Sequence, residues 1–270
     1  MLRKTRLYIS RYWYYLRSIF TILRGMSPRI KIIACFLGLE KTIFTIEIKG
    51  ELRFKVRSSM DIWIAKETCL DRDYERHGTG LRPGWTIVDI GGGIGDFAVL
   101  AAQTDDSSVQ VYEPFEESRR LLRENLKLNS ADNVICYPEA VGAGFGLGQM
   151  DTSPPHPVMY HTVGETISAA KEVATIPLCE VIRRSGKDRI DFMKVDCEGA
   201  EYDIFFNADD ASLASISRIC MEYHNHLTKY THDDLCKLFR AKGFTVSTAG
   251  NPAHDTIGFL YATNNSISTF

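Results

Sequence analysis

Hydrophobic positions along this chain change their period twice before residue 86. Ile9, Trp13, Leu16, Phe20 and Leu23 follow one another at steps of 4, 3, 4 and 3, which puts them on one stripe of a helix over residues 2–24. A short apolar segment, Ile32 to Leu39, comes next. The period then falls to two: Thr42 to Ile48 and Leu52 to Val56 read as strands around a Lys49-Gly50-Glu51 turn. Residues 61–80 return to a helical pattern carrying Trp63, Glu67 and Tyr74, and Arg82-Pro83-Gly84 closes this first part of the chain.

From Thr86 onward strand and helix alternate. Thr86 to Ile90, Val109 to Glu113, Val134 to Tyr137, Arg189 to Val195 and Ile216 to Glu222 predict five strands. Helices are expected from Phe97 to Ala102, from Pro114 to about Leu128, over 177–185 and from Gly199 to Phe206. Thr231 with Asp234 caps a further helix that Gly243 ends, and Phe244 to Ser247 and Ile257 to Ala262 complete the sheet. Residues 143–170, with Gly144, Gly146, Gly148, Pro154, Pro155 and Pro157, predict a loop or small insertion. Such alternation is the pattern of an α/β fold: a mostly parallel sheet with helices on both faces. The expected organisation is an N-terminal extension over 1–80 and one α/β domain over 81–270.

The chemistry concentrates in Asp89-Ile90-Gly91-Gly92-Gly93-Ile94-Gly95-Asp96, a strand, a glycine turn and a helix start. A dinucleotide fingerprint needs glycines at offsets 0, 2 and 5, and the last of these is Asp96. With Gly91, Gly93 and Gly95 letting the backbone pass close to a ligand, and Asp89 suited to a cationic amino-acid moiety, S-adenosylmethionine fits and NAD does not. Glu113 ends the second strand, where an acid accepts hydrogen bonds from ribose hydroxyls. Glu139, after the third strand, is the candidate for the adenine amino group.

A second cluster runs from Lys194 through Asp196 and Glu198. It ends a buried strand and delivers two carboxylates to the crevice where such sheets bind ligands. The next strand delivers Glu222 and His224, the histidine being the neutral-pH base nearest a strand's carboxyl end. Lys194, Asp196, Glu198 and His224 are therefore the candidate catalytic set. No metal is required by this reading; the alternative is a divalent cation such as magnesium held by Asp196 and Glu222.

Charge narrows the partners. The formal net charge of −2 hides eight Lys/Arg and no acid in residues 1–39, against 24 basic and 34 acidic residues in the remainder. So acidic a body is poorly placed to grip a phosphate backbone, and no nucleic-acid partner is expected. The basic, tyrosine-rich helix over 2–24 reads either as an interfacial helix on anionic lipid or as a helix whose stripe packs on its own domain or on a second subunit. Arg11, Arg17 and Arg24 interrupt it, so it is neither a membrane span nor a signal peptide. Seven widely spaced cysteines with no Cys-x-x-Cys predict free thiols in a reducing, cytoplasmic setting, peripheral to the inner face of the membrane if the helix binds lipid.

Asp89 to Phe97, Glu113-Pro114 and above all Lys194-Val195-Asp196-Cys197-Glu198-Gly199-Ala200-Glu201 give the chain from about Ile87 to Ala262 a likeness to a known group. It resembles the FkbM family of S-adenosylmethionine-dependent methyltransferases, with Asp61 to Tyr74 similar to the family's lead-in. The resemblance implies a class I methyltransferase, Rossmann-like sheet of seven strands with the last antiparallel. It also implies O-methylation of a hydroxyl on a sugar, glycan, glycolipid or secondary metabolite. By it Asp89, Gly91, Gly93, Gly95 and Glu113 hold the cofactor, while Asp196, Glu198 and Glu222 face the acceptor. The family's Gly-Ala-Asn reads Gly91-Gly92-Gly93 here, and Cys179 stands where an Asp is common. N-methylation on the same fold and a non-catalytic, membrane-docked scaffold are the alternatives. The Asp-Cys-Glu-Gly turn differs from the Asn/Asp-Pro-Pro-aromatic turn of N-methylating enzymes, and intact Asp89, Glu113 and Asp196 argue against the scaffold.

Overall fold

The β-branched runs between residues 86 and 264 pair into one twisted sheet whose central strands are apolar on both faces, as a sheet covered by helices on each side requires. The computed structural model describes residues 2–76, 80–154, 161–163 and 170–267, with 2–10 and 161–163 described by their backbone. In chain order the elements are α1 (Leu2–Gly25), β1 (Met26–Ser27), α2 (Arg29–Phe36), β2 (Phe44–Ile48), β3 (Leu52–Val56) and α3 (Ser59–Lys66). Then come β4 (Thr86–Ile90), α4 (Asp96–Ala102), β5 (Ser108–Tyr112), α5 (Glu116–Leu128), β6 (Val134–Tyr137), β7 (Ala140–Val141), β8 (Gly146–Asp151), β9 (His161–Val163) and β10 (Ala170–Ile176). The chain continues through α6 (Leu178–Ser185), β11 (Phe192–Val195), α7 (Glu201–Phe206), α8 (Asp210–Ala214), β12 (Arg218–His224), α9 (His232–Ala241), β13 (Phe244–Gly250) and β14 (Ile257–Asn264).

The main sheet has the order β13-β14-β12-β11-β4-β5-β6. Strands β12 to β6 run parallel, and β14 is antiparallel to both of its neighbours. The chain winds outward from β4 to one edge, then returns to β11 on the other side. That reversal opens a crevice beyond the carboxyl ends of β4 and β11. The expected seven-stranded α/β sheet is the one observed.

Two local expectations are revised. The predicted irregular stretch 143–170 holds strands β8 and β9 in its described part, and with β7 and β10 they form a second, four-stranded sheet. Its glycines had suggested a loop. Gly148 is in fact a strand position where a Cβ would come within 2.9 Å of the Thr175 methyl carbon. Residues 155–160 and 164–169 of that stretch lie outside the described residues. The helix expected over 61–80 ends at Lys66 and passes into a π-helical turn, Glu67–Asp71, that turns Glu67 and Thr68 toward the crevice. Residues 77–79 are outside the description.

The N-terminal helix forms, but its predicted stripe does not pack inward. Trp13 and Phe20 are 66% and 64% exposed, and the helix is fastened instead through Ser18 and Ile22, both buried. Lys66 completes that anchor: its buried ammonium donates to Ser18 Oγ at 2.8 Å and lies over the rings of Tyr14 and Trp63. Ile22, Met26, Phe54 and Ile62 share one hydrophobic core with Phe97, Val99 and Phe192, so residues before and after 81 are packed together. All seven cysteines are free.

The hairpin β2–β3 is joined to the main sheet's helical layer by two asparagines one turn apart, Asn125 in α5 and Asn129 at its C-cap. Asn125 Oδ1 accepts from Lys55 N at 2.7 Å, and its Nδ2 donates to the Lys55 and Ile94 carbonyls. Asn129 repeats the pattern on Arg53. Side-chain amides thereby stand in for the missing strand partner along the edge of β3. Asn125 is fully buried, and replacing it by Leu strands a donor and two acceptors. Asn125→Leu is expected to cost about 3 kcal/mol or more of stability, read as a lower urea midpoint at unchanged m-value.

Candidate active site

The carboxyl ends of β4, β5, β11 and β12 enclose a cavity of about 650 Å³, roofed on one side by α1, α2 and α3. The turn after β4 sets its floor. Gly91 has φ +82°, and a Cβ there would lie 1.7 Å from the Asp196 carbonyl oxygen, so the two strand ends touch at this glycine. Gly93 faces open cavity instead: a Cβ would meet nothing nearer than Ile64 Cδ1 at 3.9 Å. Gly95 is the N-cap of α4, packs on Leu122 and does not line the cavity.

Glu113 enters from the end of β5. Its carboxylate accepts from Gly93 N at 2.7 Å and from Phe115 N at 2.8 Å, which fixes it against the glycine turn. Burial pushes the group up to about 7, against the pull of those two amides. Tyr112 and Phe115 flank it.

Asp89 is placed differently from the expectation that it meets a cationic ligand. It is fully buried beneath the turn, outside the cavity lining, and Lys194 is its register partner on the neighbouring strand. Lys194 Nζ stands 3.0 Å from Asp89 Oδ1 and donates to the Gly91 carbonyl at 2.6 Å. Asp89 is thus ion-paired in the interior, and burial raises the acid to about 6 against the pull of Lys194. Burial disfavours the Lys194 cation, but Asp89, Asp196 and Asp96 outweigh it and hold the ammonium well above its usual value. With its ammonium tied to Asp89 and to the Gly91 carbonyl, Lys194 holds the turn in place. Glu139 is also placed elsewhere. Arg184 on α6 captures it at 3.0 Å and lowers its pKa, and the cavity is lined at this point by Ala140 and Val141.

The turn after β11 carries the acids. Asp196 Oδ2 accepts from the Tyr74 hydroxyl at 2.8 Å. Glu198 lies in the left-handed region at φ +53°, followed by Gly199 at +98°, a strained turn that only a well-packed surround maintains. His224 on β12 is buried, with Nδ1 3.1 Å from Glu201 Oε1 and Nε2 3.4 Å from Glu198 Oε2. Asp196 is 4.0 Å from the same Nε2. Burial works against the imidazolium, yet Glu198, Glu201 and Glu222 together lift His224 well above the usual histidine value. Glu222 is pushed far above the carboxylate range, first by burial and then by Asp196. Glu198 rises to about 7 by burial, restrained by His224.

Asp196, Glu198, Glu222 and His224 thus converge as expected. Among the described residues one group of side chains could approach a common ion, Asp196, Glu201 and His224 within 4.8 Å, and Glu222 is not in it. His224 Nδ1 is committed to Glu201, so the set reads as a hydrogen-bonded network. Sequence reasoning missed Glu201, visible only as the last acid of the Lys194–Glu201 run. It also missed Asp96, which stands where a dinucleotide site has its third glycine and lines the cavity. The aromatic group Tyr14, Tyr15 and Trp63, with centroids 5.5–5.9 Å apart, had no signal beyond composition.

Residues 89–246, more than half of the chain, match the Methyltransferase FkbM domain. The chain belongs to the FkbM methyltransferase family. A relative in Streptomyces tacrolimicus, the 31-O-demethyl-FK506 methyltransferase FkbM, is 25% identical over 221 residues, covering 70% of this chain and 84% of that protein. The AMB antimetabolite synthetase AmbE of Pseudomonas aeruginosa is 25% identical over 234 residues, 68% of this chain but 11% of its own length. Among solved structures, methyltransferase FkbM from Methylobacillus flagellatus KT shares 14% identity over 76% of this chain and 54% of that chain, with a TM-score of 0.44. A likeness at that level adds nothing to what the sheet order already shows. This FkbM methyltransferase draws its methyl group from S-adenosylmethionine. The cavity fits that donor: Gly93 leaves open space against bare backbone, and Glu113 presents a carboxylate beside two aromatic rings.

The Asp89–Lys194 pair can be tested as a unit. Lys194→Met leaves a buried acid without its counter-charge and is expected to cost about 3–5 kcal/mol in equilibrium urea unfolding. The double variant Asp89→Asn/Lys194→Met should lose less than the sum of the two single changes.

Proposed function

We propose that this methyltransferase transfers a methyl group to a hydroxyl oxygen of a sugar, glycolipid or secondary metabolite, with Glu198 accepting the hydroxyl proton. One observation carries the reading: Glu198 lines the cavity with its carboxylate 3.4 Å from His224 Nε2, where burial pushes its pKa up to about 7. A base works best when its pKa lies near the working pH. His224, protonated among four acids, is a poor base and a good electrostatic brace for Glu198, with Glu201 fixing its ring. Tyr74 orients Asp196 toward the same space, where a second carboxylate can accept a hydrogen bond from the acceptor. When bound, S-adenosylmethionine supplies a sulfonium-activated methyl, so the protein's remaining task is alignment. Gly91, Gly93 and Glu113 hold the donor in this reading. The O-methyl name of the Streptomyces relative supports oxygen as the acceptor atom.

Burial has raised the Glu198 pKa, so its proton-accepting form predominates above about 7 and is lost below it. The turnover rate kcat should therefore climb as pH rises through about 7, and Glu198→Gln should abolish that limb while lowering kcat roughly a hundredfold or more. S-adenosylhomocysteine affinity, measured by calorimetry, should stay unchanged in that variant. Glu113→Ala gives the converse: affinity for S-adenosylhomocysteine is expected to fall on the order of tenfold to a hundredfold as a charged hydrogen-bond acceptor is lost. A pH profile unaltered by Glu198→Gln would move the base elsewhere. Activity abolished by excess chelator would favour a metal ion in its place.

A further inference from the structure

The N-terminal arm carries features that methyl transfer does not use. Trp13 and Phe20 on α1, and Ile30 and Leu37 at the two ends of α2, are 66%, 64%, 84% and 67% exposed. Large apolar side chains gathered on two helices in water mark a docking surface. The same arm is cationic: eight Lys/Arg and no acid lie in residues 1–39. Arg17, Arg24, Arg29 and Lys31 are exposed, and among the described residues none of them pairs with a carboxylate.

This face and the cavity are continuous. Ile19 of α1 and Phe36 of α2 both line the cavity, yet remain 48% and 42% exposed. Each helix therefore brings a half-exposed apolar side chain to the cavity wall, and α1 adds Tyr15.

The geometry points to an anionic lipid leaflet as the occupant of this face, and to an acceptor whose hydroxyl is presented from that leaflet by an amphiphile. Exposed Trp and Phe insert at the depth of the headgroups, while arginines reach the lipid phosphates. No helix among the described residues is long and apolar enough to cross a membrane, so α1 lies in the plane of the surface. A second copy is a poor occupant, because a two-fold contact here would set two cationic arms against each other. The leaflet-borne acceptor rests on the methyl-transfer reading of the cavity; the docking does not.

The test floats the full chain with vesicles of phosphatidylcholine and phosphatidylglycerol in equal parts, and with vesicles of phosphatidylcholine alone. Affinity for the anionic vesicles should be about tenfold or more higher, and should collapse in high salt. Trp13→Glu/Phe20→Glu should abolish flotation while leaving S-adenosylhomocysteine affinity intact, since both positions lie outside the cavity lining. No flotation on anionic vesicles, or a dimer by light scattering that the double variant dissociates, overturns the docking. With methyl-labelled donor and a crude membrane preparation, label is expected in the organic phase. Label confined to water-soluble acceptors overturns the acceptor class, whereas loss of S-adenosylhomocysteine binding by the unaltered chain would instead overturn the cavity's reading.

Discussion

Two charges facing each other across adjacent parallel strands hold this site in shape. Asp89 and Lys194 are register partners in β4 and β11, each buried, and the lysine passes its hydrogen bond on to the carbonyl of Gly91. A buried pair of this kind gains little over an apolar pair of the same shape, because desolvation offsets most of the attraction. Its value is geometric. The ammonium ties the end of β4 to the end of β11 where Gly91 and the Asp196 carbonyl come into contact. Every ligand-facing group considered above hangs from one of those two strand ends or from a neighbour that packs on them.

The strain at Glu198 follows from the same contact. With Asp196 N bonded to the Ile90 carbonyl, the chain leaves β11 late and must turn sharply to begin α7. Glu198 and Gly199 take that turn in left-handed conformations, and Glu201 then reaches back to Cys197 N and to His224. Burial at the cavity wall raises the Glu198 pKa and leaves its carboxylate 3.4 Å from His224 Nε2.

Much of this was legible in the residues, for reasons that differ from place to place. The sheet could be read because its strands are apolar on both faces and punctuated by glycine, proline and capping residues, as in Thr231 with Asp234, where the capping box forms. Asp196, Glu198, Glu222 and His224 could be gathered because topology sends the carboxyl ends of parallel strands to one crevice. What a strand end cannot reveal is which neighbour has already claimed a side chain. Asp89 was expected to meet a cationic ligand group and Glu139 the adenine amino group, yet one is held by a lysine a strand away and the other by an arginine 45 positions on. The stripe of α1 was misleading in a related way. Periodicity found the helix, but the domain grips Ser18 and Ile22, so the more apolar face was left outward.

Electrostatics then selects what the cavity admits. Glu67, Asp96, Glu113, Asp196, Glu198 and Glu222 all line it, and among the described residues Lys194 is the one lysine or arginine that does. Lys194 is already committed to Asp89 and Gly91, and His224 to Glu201 and Glu198, so a phosphate entering here would meet several carboxylates and no uncommitted lysine or arginine. A cationic ligand finds the reverse. Each acid raised by burial recovers part of its lost hydration energy when a positive charge arrives, so binding a cation and ionising Glu113 or Glu198 reinforce each other. The missing third glycine at Asp96 is part of that design: a pyrophosphate site needs bare backbone where this chain has placed another negative charge.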